Sequence, residues 1–200
     1  MPAQLNSVKS NARPYHHGDL QSALVLAAEQ ILTEKGVAGF SLREAARRAG
    51  VSPAAPAHHF KDASGLLTAV AAKGFSRMAE HLARAGDAAQ TSCRLQALGA
   101  AYIDFAKQSP AIFSIMWNRE LLKTDDAAYL EAGRIAFNVL ERAATGKAVP
   151  VRTAPHVPDP SIIAAWSMIH GYARLILDGA LQNLPDSIED EVLRLLPTKA

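Results

Sequence analysis

The sequence predicts an all-α protein in which a three-helix unit containing a helix-turn-helix precedes a larger helical unit. Three observations lead there. Ala and Leu dominate a 200-residue chain whose aromatic residues make up only 6%. Apolar positions recur at helical spacing through most of its length, while β-branched runs are few. Ser41 to Leu67 then reads as two short helices about a glycine, followed by the start of a third. A chain of this length buries a substantial core without outside support.

Composition narrows the function classes. The formal net charge is +2, and residues 1–67 carry all of it: seven Lys or Arg against five Asp or Glu, with four of the seven histidines, whereas residues 68–200 hold fourteen of each sign. Local positive character is what a duplex-binding surface needs. Cys93 is the only cysteine, which excludes an intrachain disulfide or a cysteine-cluster metal site and favours a packing role. No stretch approaches the roughly eighteen apolar residues of a membrane helix, and the N-terminus lacks a signal-peptide core, so a soluble, cytoplasmic protein with no membrane partner is expected. No glycine-rich phosphate loop, nucleophile elbow or zinc motif is present, so neither an enzyme nor a bound cofactor or metal is expected.

Residues 1–14 show no period and read as an arm, either a plain tail or, through Lys9 and Arg13, a reach toward phosphate and minor groove. From Asp19 a stripe of Leu20, Ala23, Leu24, Ala27, Ala28, Ile31 and Leu32 marks a first helix ending at Lys35 and Gly36. Ser41 and Glu44 stand three apart as a reciprocal capping box, opening a helix that Gly50 ends. Val51 plugs the corner, Ser52 is the expected N-cap and Pro53 the first residue of the next helix, with Phe60 as its anchor. The outward side carries Ser52, Ala54, Ala55, His58 and His59. Small outward side chains allow close approach to the major groove, and Ser or His supply hydrogen bonds to base edges or phosphates. The same pattern also fits an ordinary Ala-rich helix pair.

With its surroundings, the run YHHGDLQSALVLAAEQILTEKGVAGFSLREAARRAGVSPAAPAHHF resembles the TetR family of transcriptional regulators. The resemblance implies a homodimer. Each chain would have a helix-turn-helix DNA-binding domain at residues 15–68 and a helical ligand-binding and dimerisation domain at 69–200. It implies binding to a palindromic double-stranded operator, and more often repression than activation, relieved by a small effector. Ser41 to Gly50 matches the second helix, with Ser41 and Arg43 toward the DNA backbone, and Ser52 to His59 matches the recognition helix, including Pro53 and Ala57. Members usually carry a tyrosine where Ala57 stands and a lysine where Ala63 stands, both expected phosphate contacts. Arg13, His58, His59 and Lys61 are the candidates to compensate, giving weaker and pH-sensitive DNA binding. Pro56, expected at the fourth helical position, would leave the recognition helix short or locally distorted. The alternative reading is a dimer of the same fold with weakened or lost DNA binding, acting as a ligand-binding or interaction protein.

In the remaining chain, Leu66, Leu67, Val70, Ala71, Phe75, Met78 and Leu82 extend a fourth helix to a bend at Gly86 and Asp87. Tyr102 and Phe105 lie on the next helix, Phe113, Met116 and Trp117 crowd a short one after Pro110, and Phe137 lies on a further one. These aromatics form either core or the wall of an apolar ligand cavity. Residues 146–160 read as a Pro-rich loop containing His156. The helix from Asp159 or Ser161 through Leu184 has two broad apolar faces, more than a single surface helix needs. Ile162, Ile169, Ala173, Ile176 and Ala180, with Leu193 of a last short helix, are the expected dimer seam. Trp166, His170 and Gly171 resemble the tryptophan, histidine and glycine signature of a WHG-like C-terminal subgroup. There Trp166 packs the core, Gly171 allows close helix approach, and His170 is either a satisfied structural histidine or a polar pocket group. The expected ligand pocket is thus Tyr102, Phe105, Phe113, Met116, Trp117, Phe137, Trp166 and His170, holding an apolar or aromatic molecule.

Overall fold

In a computed structural model, which describes residues 17–145, 158–185 and 187–196, the described chain is helical and contains no strand. Among the described residues nine α-helices follow in order: α1 (His17–Lys35), α2 (Leu42–Ala49), α3 (Ala55–Phe60), α4 (Ala63–Ala88), α5 (Arg94–Gln108), α6 (Pro110–Met116), α7 (Ala127–Thr145), α8 (Pro160–Leu177) and α9 (Ser187–Arg194). Short 3-10 turns occupy Val37–Gly39 and Thr91–Cys93.

The apolar stripe of α1 is realised: Leu24, Ala27, Ala28, Ile31 and Leu32 are buried against α2 and α4. Glu29 is buried on the same helix, between Arg77 Nη2 at 3.2 Å and Lys73 Nζ at 3.8 Å, so an ion pair as well as packing ties α1 to α4. α4 is shared by both halves of the molecule. Leu66, Leu67 and Val70 bury into the first unit's side of the core, while Phe75, Met78 and Leu82 face the second. The bend expected at Gly86 and Asp87 is absent. Gly86 is buried beneath Leu98 of α5, whose Cδ1 would lie 2.8 Å from a Cβ there, and α4 continues to Ala88.

α5 is the hub of the second unit. Leu95, Leu98, Ala101, Tyr102, Ile103, Phe105 and Ala106 are all buried, an apolar surface extending well around the helix, as suits an element covered on several sides. α4, α6, α7, α8 and α9 pack around it. α8 begins with Asp159 as N-cap, its carboxylate accepting from Ser161 N at 2.8 Å. It ends at Leu177, where Gly179 with φ 74° carries the chain away, so Ala180 lies beyond the helix rather than on its face.

The head of α4 is held from both sides. Asp62 is its N-cap, accepting from Gly65 N at 2.8 Å, and it also pairs with Lys123 Nζ at 2.9 Å. Ser64 Oγ donates to Leu121 O at 2.7 Å, and Thr68 Oγ1 accepts from Lys123 N at 2.9 Å while donating to Ser64 O. The segment between α6 and α7 is thereby clamped to the first two turns of α4. On the other side, Lys61 adopts φ 71° and ψ −56°, and Asp62 N donates to Phe60 O at 2.9 Å, a three-residue γ-turn that folds α3 back onto α4. The Phe60 carbonyl then rests on Gly65, where a Cβ would overlap its oxygen. Gly65→Ala is expected to destabilise the protein by at least about 2 kcal/mol, because the obstruction is backbone and cannot rotate away; the midpoint of urea unfolding measures it.

Candidate nucleic-acid interface and ligand cavity

The helix-turn-helix forms with two changes from expectation. Ser41 Oγ accepts from Glu44 N at 3.2 Å, the first half of the capping box. In place of the second half, the Glu44 carboxylate is taken by Arg47 at 2.8 Å and Arg48 at 3.0 Å. A charged donor pair holds a carboxylate more strongly than one backbone amide. Gly50 closes α2 in the left-handed region, at φ 67°, and Val51 N donates to Ala46 O. The next helix starts later than expected. Ser52 caps nothing and Pro53 lies before the helix; α3 begins at Ala55 behind Ala54, with Ala55 N donating to Ser52 O in a turn. Pro56 is consequently in the first helical positions, where a missing N–H loses no bond, and its ring is buried. Of the two expected outcomes, the helix is short, at six residues, while local distortion is avoided because the start shifts by two residues and accommodates the proline.

Ser41, Arg43, Ser52, Pro53, Ala54, Ala57, His58 and Lys61 are exposed, and Ala55 and His59 are half-buried. Arg13 lies outside the described residues, as do residues 1–14 and His156. His58 and His59 stack with ring centroids 5.3 Å apart, and His59 Nδ1 lies 3.5 Å from Gln21 Nε2 of α1. Ala57 and Ala63 are both exposed, so neither small side chain fills a core site. Charge is distributed less freely than the sequence suggests. Arg48 Nη2 pairs with Glu34 at 2.6 Å, and Lys35 lies 3.6 Å from Glu44, so these acids occupy the cations on the back of α2. Arg43 and Lys61 have no ion pair among the described residues.

Hydrogen bonds from Arg47 and Arg48 hold the Glu44 carboxyl far below the ordinary carboxylate range, and Glu34 is lowered by its bond to Arg48. Because the folded value is depressed, this contribution to stability is complete above the ordinary value of about 4.3 and is lost as pH falls below it toward the folded value. Glu44→Gln is expected to flatten the acid limb of the stability profile between about pH 4 and about pH 2, read from melting temperatures of both proteins across that range.

The second unit encloses a cavity of about 260 Å³ between α4, α5, α7 and α8. Of the eight residues expected to line it, Tyr102, Trp117, Phe137 and Trp166 do so. Phe105, Phe113, Met116 and His170 do not. Phe113 and Met116 are fully buried, and Phe105 is buried toward His81. His170 stands off the wall: its Nδ1 is 2.8 Å from Tyr102 Oη, and its ring packs on Trp117, with centroids 4.8 Å apart, and on Phe113. Burial lowers the His170 value, with Arg174 adding to the shift, and burial raises the Tyr102 phenol. The Tyr102 hydroxyl and His170 Nδ1 satisfy one another across this contact.

Sequence reasoning missed the α4 wall of Phe75, Met78 and Leu82, although their spacing was visible as a core stripe. Of α7 it named only Phe137; Tyr129, Leu130, Gly133, Ala136 and Leu140, which recur with it at three and four residues along the cavity, were not among the expected lining. Gly133 and Ala136 at the middle of that stripe, opposite Ala165 of α8, leave the hollow. Among the described residues, no three His, Cys, Asp or Glu side chains converge as metal ligands, and no helix is long and apolar enough to cross a membrane.

The expected dimer seam is largely corrected. Ile162, Ile169, Ala173 and Leu193 are buried within the chain's own core, Ile176 is half-buried against it, and Ala180 is exposed past the helix end. Ile169 and Leu193 pack on Gly99 of α5. The outward face of α8 is instead Ile163, Ala164, Ser167 and Leu175, with Gly171 at its centre. A Cβ on Gly171 would meet nothing within 4 Å, so no neighbouring helix of the same chain uses the close approach expected there.

Comparison with known proteins matches both halves. The tetracyclin repressor-like C-terminal domain matches residues 95–198, and the bacterial regulatory proteins of the tetR family match residues 24–70. A solved structure of a Rhodococcus sp. RHA1 protein of unknown function is 33% identical, with 94% of this chain and 100% of that one covered and a TM-score of 0.73. The uncharacterized HTH-type transcriptional regulator YobS of Bacillus subtilis is 26% identical over 178 residues, 86% of each chain. AibR, solved in complex with isovaleryl coenzyme A and operator DNA, shares the fold at a TM-score of 0.59 and 19% identity, with 90% of this chain and 100% of that one covered.

Proposed function

Because the chain belongs to the TetR family of bacterial regulatory proteins, we propose that it is a cytoplasmic, homodimeric repressor whose operator affinity is set by a small apolar molecule in the α4–α8 cavity. The observation that carries this reading is the shared helix. α4 lines the cavity with Phe75, Met78 and Leu82, and its head receives the recognition helix through Lys61 and Asp62. AibR, of the same fold, was captured with a ligand and operator DNA together, which supports coupling of this kind. The Trp166, His170 and Gly171 signature supports assigning the C-terminal half to the WHG-like subgroup.

In this reading α3 lies in the major groove. Ser52, Ala54, Ala55, His58 and His59 face base edges or phosphates, and Ser41, Arg43, Pro53, Ala57 and Lys61 lie against the backbone, with Arg13 reaching from the arm. The outward face of α8 meets its twofold mate: Gly171 and the small Ala164 and Ser167 permit close approach, and Ile163 and Leu175 flank them. A dimer places two α3 helices about 34–36 Å apart, and a change in that separation changes affinity for a palindromic site. Selection from random duplexes is expected to return a palindrome. The double variant Ala57→Tyr plus Ala63→Lys is expected to bind it more tightly, with the slope of log affinity against log salt steeper by about one per half-site. Absence of enrichment even at low salt would favour the interaction-protein alternative.

The ligand signal has a short path. Trp117 and Tyr129 line the cavity and bracket the segment whose Leu121 and Lys123 grip Ser64, Thr68 and Asp62. Tyr129 Oη also donates to Met116 O at 3.1 Å, joining the two ends of that segment. A molecule that displaces either ring shifts the clamp on α4, so the two cavity states differ in recognition-helix position. Thr68→Val removes the acceptor for Lys123 N. It is expected to shrink the ratio of operator affinities without and with ligand by about fivefold, the order of a 1 kcal/mol coupling, in anisotropy titrations of labelled operator.

A further inference from the structure

Resting on the reading of the cavity as an effector site, we propose that its ligand is an uncharged ring-containing molecule with at most one hydrogen-bonding group, and that Gly133 sets the size admitted. Three features of the wall select this chemistry. No Asp, Glu, Lys, Arg or His is among the lining residues, so a carboxylate, phosphate or ammonium would enter without a counter-charge. The two wall hydroxyls are already committed, Tyr102 to His170 and Tyr129 to Met116 O. Trp117 Nε1 is buried without a hydrogen-bond partner among the described residues, which leaves one donor to pair if the ring shifts.

Among the aliphatic residues of the wall stand six aromatic side chains, which give part of it flat surfaces. Trp117 and Trp166 lie 5.6 Å apart, Phe137 meets Trp166 edge-on at 5.8 Å, and Phe75 meets Trp117 and Tyr129 edge-on at 5.0 and 5.7 Å. Planar rings present both faces and edges to a guest, and this favours a ring over a flexible chain, which loses more rotational freedom on entry. The volume of about 260 Å³ lies just below the roughly 300–1,000 Å³ typical of drug-sized ligands, and is far too small for a coenzyme A thioester.

Gly133 marks where size is read. It lies on the cavity-lining stripe of α7, and a Cβ there would meet nothing within 4 Å, so the space a side chain would take belongs to the ligand. Its neighbour Leu130 both lines the cavity and is 54% exposed, which puts the mouth beside the same turn of α7.

The chain's two tryptophans, Trp117 and Trp166, both line the cavity, so their fluorescence reports occupancy with no DNA present. Methyl 4-tert-butylbenzoate and 4-tert-butylbenzoate share a scaffold and differ in charge at neutral pH. The ester is expected to perturb the emission at least about tenfold more tightly than the acid. Gly133→Phe is expected to abolish the ester response while retaining a cooperative melt, and Gly133→Ala, which leaves most of the space, to retain it. Equal binding of acid and ester overturns the charge assignment, and an unchanged ester response in a folded Gly133→Phe overturns the role of Gly133. Ester binding that leaves operator affinity unaltered supports this inference and counts against the regulatory reading, so the two fail separately.

Discussion

The contact on which the rest of the structure depends is the seating of the Phe60 carbonyl on Gly65 at the head of α4. α3 has only six residues and makes little core of its own beyond Pro56 and Phe60, so its direction is set by how it joins α4. The γ-turn at Lys61 is a sparsely populated conformation for a residue with a side chain, and such a conformation persists only where its surroundings over-determine it. Those surroundings are Asp62 capping α4, Lys123 pairing with Asp62, and Ser64 and Thr68 bonding the segment between α6 and α7. The orientation of the recognition helix is therefore set partly by residues about sixty positions away in sequence. That arrangement couples the two halves of the chain before any ligand is considered.

The cavity is the counterpart of that junction. Protein interiors pack at close to crystal density, and apolar volume left empty forgoes contacts worth on the order of 20 cal/mol per Å³. A void of about 260 Å³ thus represents several kcal/mol of unrealised packing. It is maintained by facing positions that are small: Gly133 and Ala136 on α7 and Ala165 on α8. Larger side chains at those three positions would close it without disturbing the helical pattern. A guest that fills the space recovers the contacts, and it does so against Trp117 and Tyr129, the residues nearest the clamp on α4. On the effector-site reading, recovery of packing and displacement of the clamp would be one event, giving a ligand of modest size a differential affinity for the two states.

Much of this was legible in the sequence, for reasons that differ by element. The all-α class, the stripe of α1, the cap at Ser41 and the turn at Gly50 are local: periodicity and single-residue backbone chemistry specify them. The start of α3 was not legible, because Ser52 and Pro53 are good capping residues in isolation, and only tertiary placement of Pro56 in the core moves the start to Ala55. Glu44 was read as a backbone cap for a similar reason; the competing arginines at three and four residues on were in view but their rotamers were not. The cavity was half legible. Aromatic clustering pointed to Tyr102, Trp117, Phe137 and Trp166, but a pocket is defined equally by the residues that leave space, and Gly133 and Ala136 carry no signal of their own in a sequence. The Lys123 clamp joins segments distant in the chain, with no periodic signature at either end.

α8 shows the limit most clearly. Its apolar residues cover most of its circumference, so periodicity identifies two faces and cannot say which belongs inside. Successive residues are separated by 100°, and choosing the face of Ile162, Ile169 and Ala173 as the outward one turns the helix half round. The structure settles the inward face by volume: Ile169 and Leu193 fill the space above Gly99, and Ala165 borders the cavity. What remains outward is flatter, with Ala164, Ser167 and Gly171 between Ile163 and Leu175. A glycine at the centre of an exposed helical face costs roughly 0.5–1 kcal/mol relative to alanine, and nothing within the chain requires it. The requirement, on the dimer reading, comes from the mate: two helices crossing at Gly171 approach backbone to backbone, and the cost in helix propensity is offset by contacts that no larger residue would permit.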